Sequence, residues 1–191
     1  RGILIQKYSL FIFILKCKEE SVMGNRVDKH NYYLGIAEEV LSRATCLRRN
    51  YGCVIVKNDE IISTGYNGAP RGRENCIDLG FCAREKLKIK SGQNYELCRS
   101  VHAEQNAIIS AARRDIIGAT LYMVGKDVKT GQILEKIDSC IMCKRVVINA
   151  GIKYVVVKDV HSDTGYKIMD VNDWIKFDEV LENNKKILFN N

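Results

Sequence analysis

Two short motifs, well separated along the chain, constrain the fold most tightly: His102-Ala103-Glu104 and Cys140-Ile141-Met142-Cys143. An imidazole and two thiolates suit a tetrahedral ion such as zinc, and three protein ligands leave a fourth position open. They serve one ion only if the fold brings two distant helix starts to one point. A Cys-x-x-Cys pair at a helix start turns both sulfurs the same way, and the positive end of the helix favours thiolate. Glu104, two residues beyond the histidine, is rotated around the helix and can move protons beside the metal without binding it. His102, Cys140 and Cys143 are therefore the expected zinc ligands and Glu104 the expected catalytic residue.

The surrounding pattern supplies elements to hold these motifs. Tyr33, Ile36, Ala37, Val40, Leu41 and Ala44 recur at helical spacing. Residues 52–56 and 60–64 read as strands around the turn Lys57-Asn58-Asp59, and residues 65–72, with the only proline, read as a loop. The apolar stripe Ala103, Ala107, Ile108, Ala111 predicts a helix opened by His102. Strands are expected at 119–124 and 153–158, a helix at 140–150 stopped by Gly151, and a closing helix around Trp174, Ile175 and Leu181. The simplest assembly is an α/β fold, a three-layer α/β/α sandwich with a central mixed sheet of about five strands.

The chain has 191 residues, 46% of them hydrophobic and 28% charged, which suits one globular domain over 23–191. Residues 73–100 form a cysteine-rich polar insertion, and so long a loop is usually functional or pinned. Residues 1–22 lack an initial methionine, and their apolar run, Leu10 to Leu15, is too short to span a bilayer. They are expected to be an upstream-translated or non-native tail, with the native start at Met23. The net charge of +7 comes from scattered lysines and arginines, without the interleaved aromatics of a nucleic-acid groove. Nucleic acid and membrane are thus not the expected partners. Eight cysteines at metal-friendly spacings point to a reducing, cytoplasmic setting. Cys46, Cys76, Cys82 and Cys98 are candidates for a second, structural zinc that would pin the insertion, whereas Cys53 reads as core.

These motifs resemble the cytidine and deoxycytidylate deaminase superfamily, most closely its deoxycytidylate (dCMP) branch, over residues 23–174. The residues that carry the resemblance are Cys46-Leu47-Arg48-Arg49-Asn50-Tyr51-Gly52, Ile62-Ser63-Thr64-Gly65-Tyr66-Asn67-Gly68, His102-Ala103-Glu104-Gln105-Asn106-Ala107-Ile108 and Cys140 to Cys143. The resemblance implies hydrolytic conversion of dCMP to dUMP and ammonia, with water attacking C4 of cytosine while Glu104 takes up and returns protons. It implies that Asn67 contacts the substrate, that the protein is a homo-oligomer, and that dCTP and dTTP act as effectors. It also adds weight to the second zinc. A 5′-phosphate needs cationic partners, for which Arg49, Arg71 and Arg113 are candidates. One departure stands out: the family usually has proline before the first zinc cysteine, and this chain has Ser139, which can cap the helix instead. The alternatives are a deaminase acting on a free nucleoside or a polynucleotide base, and a zinc-stabilised regulatory module without catalysis.

Overall fold

Alternation along three strands decides where the layers lie. In a computed structural model, which describes residues 26–90 and 92–189, Cys53, Ile55, Leu121, Met123, Val155 and Val157 pack on one face of a sheet. Their neighbours Val54, Val56, Tyr122, Val124 and Val156 pack on the other. Successive strand side chains point to opposite faces, so both faces of these central strands are buried. The expected segment 1–22 lies outside the described residues.

Helix α1 (Lys29–Leu41) is capped by Asp28, which accepts from the Asn31 N–H, and covers the second face with Tyr33, Leu34, Ala37 and Leu41. Each fully buried leucine contributes roughly 1.5–3 kcal/mol. Strands β1 (Arg49–Lys57) and β2 (Glu60–Tyr66) form a hairpin whose central residues, Asn58 and Asp59, both have positive φ (52° and 68°). That is the backbone a two-residue turn needs to match strand twist.

The insertion that follows is not one loop. It holds α2 (Cys76–Leu79), α3 (Ala83–Lys86) and a 3-10 turn at Tyr95–Leu97. Helix α4 (Ala103–Ile109) then lies across β2 and β1, followed by α5 (Arg113–Ile116) and β3 (Thr120–Asp127). Helix α6 (Ile141–Ala150) ends at Gly151 with φ 80°, as its sequence predicts. Strands β4 (Tyr154–Lys158) and β5 (Tyr166–Asp170) precede α7 (Val171–Lys176) and α8 (Glu179–Phe189).

The sheet order is β2-β1-β3-β4-β5, with β3 and β4 parallel and the other neighbours antiparallel. The three-layer mixed α/β arrangement is the one expected. Two details differ. β5 was not anticipated, because its edge position leaves Lys167 and Ile168 exposed and its pattern weak. The closing helix is two helices, since Asp178 accepts from the N–H groups of Val180 and Leu181 and starts a new one.

Among the described residues, no helix is long and apolar enough to cross a membrane.

Candidate metal centre

Helix α4 is brought close to the sheet by Gly65. A Cβ there would come within 2.3 Å of the Ala107 nitrogen and 2.4 Å of the Ala103 oxygen, so only glycine lets β2 pass beneath the helix. Ser63 Oγ donates to Ala107 O at 2.8 Å, and Asn106 Nδ2 donates to Tyr66 O at 2.7 Å, fixing the helix on that strand. His102 is the N-cap of α4, and its own N–H donates to the Gln105 side chain at 3.2 Å, half of a capping box.

Cys140 is likewise the N-cap of α6, so two helix starts meet. His102 Nδ1 lies 3.2 Å from Cys143 Sγ and 3.5 Å from Cys140 Sγ. Among the described residues, these are the only three or more His, Cys, Asp or Glu side chains whose ligand atoms all lie within 4.8 Å of one another. One imidazole and two thiolates, with no fourth protein ligand among the described residues, fit an open zinc site of the catalytic kind.

Protonation follows from that proximity. A hydrogen bond from Cys143 lowers the Cys140 pKa despite burial, and the same shared proton raises Cys143. Burial alone would lower His102, but the hydrogen bond to Cys140 and the charges of Glu104 and Cys140 outweigh it, so its pKa rises. The three side chains thus share protons that metal binding would release. Glu104 is buried, and burial raises its carboxyl pKa against the opposing pull of His102.

Ser139 does not cap α6. The cap is the residue after it, and the Ser139 hydroxyl is buried without a hydrogen bond of normal geometry, although it lies near enough to Glu104 to pull that pKa down. The expectation of a serine cap is corrected accordingly.

His102, Cys140 and Glu104 border a cavity of about 120 Å³, also lined by Arg48, Arg49, Tyr51 and Asn67, while Cys143 is buried behind it. The buried Asn67 amide is already engaged: its Oδ1 accepts from Tyr51 N–H at 2.7 Å and its Nδ2 donates to Arg49 O at 2.9 Å. It extends the β1–β2 pairing and keeps one N–H and one lone pair free. Arg49 borders this cavity. Arg71 lines a different one, with Arg43 and Arg73, and Arg113 is spent on Asn149 O at 3.0 Å.

Cys46, Cys82 and Cys98 border the same cavity, and Cys76 is close enough that, after burial, their charges raise its pKa. The four cysteines share a neighbourhood without closing into a ligand set of the kind formed by His102, Cys140 and Cys143. Cys53 is fully buried in the core. Sequence reasoning overlooked Arg84 and Tyr95, which also line the cavity; single residues in an irregular segment carry no periodic signal.

Residues 27–159 match the family described as the cytidine and deoxycytidylate deaminase zinc-binding region. The chain belongs to this family. Its relatives include the deoxycytidylate deaminase of Mycobacterium phage D29, 35% identical over 137 residues, which cover 69% of this chain and 95% of the phage protein. The deoxycytidylate deaminase of Schizosaccharomyces pombe is 33% identical over 127 residues, 66% of this chain and 35% of the yeast protein. The chain therefore spans only about a third of that relative's length. The cytidine deaminase of Burkholderia pseudomallei shares the fold, with a TM-score of 0.50 at 19% identity, covering 76% of this chain and 95% of that one.

Proposed function

We propose that this protein is a zinc-dependent hydrolase that deaminates a cytosine nucleotide, converting dCMP to dUMP and ammonia. The observation that carries this reading is a buried carboxylate, Glu104, beside a three-ligand metal site at the floor of a cavity bordered by Arg48 and Arg49. The phage and yeast relatives, both deoxycytidylate deaminases, support the nucleotide as substrate.

His102, Cys140 and Cys143 hold the zinc, which supplies Lewis acidity and brings the pKa of water to about 7. Glu104 accepts one proton of the attacking water and delivers it to N3, then takes the remaining proton from the new C4 hydroxyl and delivers it to the amino group. The C4–O bond forms first; C4–N4 breaks once the amino group is protonated, so ammonia leaves and uracil remains. One carboxylate serves as base and then as acid, which a partly desolvated Glu104 suits. Arg49 is placed to meet the 5′-phosphate, and the free N–H of Asn67 to meet the sugar or base.

Three further assignments belong to this proposal. Cys46, Cys76, Cys82 and Cys98 form a second zinc site; the Arg48 N–H donates to Cys46 Sγ at 3.5 Å, as backbone amides do to metal thiolates. Metal analysis of fresh protein should then give two zinc ions per chain, falling to one in Cys98→Ser. The second cavity, ringed by Arg43, Arg71 and Arg73, takes the triphosphate of an effector such as dCTP or dTTP in a homo-oligomer. Seven free thiols among the described residues suit a reducing cytoplasm.

A spectrophotometric panel of dCMP, cytidine and a short oligonucleotide tests the main reading. Turnover confined to dCMP is expected. Preference for cytidine or the oligonucleotide moves the enzyme to another substrate, and no turnover by the zinc-loaded protein leaves a regulatory module.

A further inference from the structure

Arg84 is an anomaly in the insertion. It is 4% exposed, and among the described residues it has no carboxylate within salt-bridge distance. A buried charge needs compensation. Here the compensation is three backbone carbonyls: Nη1 donates to Asn94 O at 2.6 Å, and Nη2 donates to Gln93 O at 2.6 Å and to Lys90 O at 3.0 Å. The guanidinium carbon also stands 4.9 Å from the centre of the Tyr95 ring.

The loop so held is not one the chain adopts freely. Lys88 and Asn94 have φ of 53° and 46°, and Gly92 has φ of 86°. Left-handed backbone at a non-glycine residue persists only where surroundings enforce it. The loop delivers Tyr95 to the edge of the metal site, its ring 5.3 Å from that of His102 and at 83° to it. Tyr95 and Arg84 both border the catalytic cavity.

We propose that Arg84 is a positioning residue: its planar fork gathers the carbonyls of Lys90, Gln93 and Asn94, and so sets Tyr95 as the wall against which the substrate base is held. The inference rests on the deaminase reading for its substrate, not for the loop. A lysine carries the same charge but presents a single point of donors, whereas the guanidinium offers five in a fixed plane. The shape of the group does the positioning, and its charge alone does not suffice.

The test uses zinc-loaded wild type, Arg84→Met, Arg84→Lys, Tyr95→Ala and the Arg84→Met/Tyr95→Ala double variant, assayed with dCMP. Arg84→Met should raise KM by about tenfold with kcat changed less than about threefold, as expected when binding is lost but chemistry is kept. Arg84→Lys should give no rescue, and the double variant should be no worse than Tyr95→Ala alone. Hydrogen exchange of the peptide containing Tyr95 should quicken in both Arg84 variants while zinc content holds. A lysine variant with wild-type KM, or additive effects in the double variant, overturns the proposal. If Arg84→Met does not fold, Arg84→Lys and Tyr95→Ala decide it. If wild type leaves dCMP untouched, the deaminase reading fails by itself; exchange then judges the loop, and unchanged protection in Arg84→Lys refutes the role of the fork.

Discussion

The catalytic cavity has two halves that are held in different ways. Its floor, with His102, Glu104 and Cys140, rises from two helix starts packed on the sheet through a core that includes Ala103, Ala107, Val147 and Leu121. Its rim, with Cys82, Arg84, Tyr95 and Cys98, comes from an insertion of very short helices held by arginine–carbonyl bonds and left-handed residues. Apolar packing is non-directional and tolerant, so it makes a good foundation. Hydrogen-bonded loops hold shape only while each bond is made. The floor is therefore expected to survive insults that loosen the rim.

Metal removal is the most severe way to probe this contrast. Chelation, or Cys143→Ser, should abolish turnover, yet far-UV circular dichroism should retain its helical signal; loss of that signal would mean the metal builds the floor. Glu104→Gln should cut kcat by about 10²–10⁴-fold with zinc retained, measured by metal analysis alongside the assay. Full activity in that variant would remove the assigned proton carrier.

Gly65→Ala asks whether the floor depends on helix contact, because the added methyl meets backbone at 2.3–2.4 Å. It should destabilise by about 3 kcal/mol in urea titration. Ser139→Ala should do least: deleting a buried hydroxyl that makes no hydrogen bond of normal geometry should shift stability by no more than about 1 kcal/mol, seen as a small change in Tm.

The same division explains what could be read from the residues beforehand. α1 follows from periodicity because it buries a regular stripe, β1, β3 and β4 from short apolar runs buried on both faces, and α6 from the glycine that stops it. The metal triad follows from spacing within two motifs. α2 and α3 span only four residues each and bury one residue apiece, too few for a period to register. Arg84 had no signature either: an arginine in a polar segment is ordinarily solvated, and only the fold shows which carbonyls surround it. Arg71 and Arg113 were reasonable cations by type, but spacing along a chain does not say which side of a molecule a loop will face.

Both His102 and Cys140 occupy cap positions, where backbone geometry is half outside the helix. A ligand so placed is a fitting on a finished frame: its ion can depart and return while the frame stands. Such a protein is expected to fold before metal arrives, with metal supply then setting its activity.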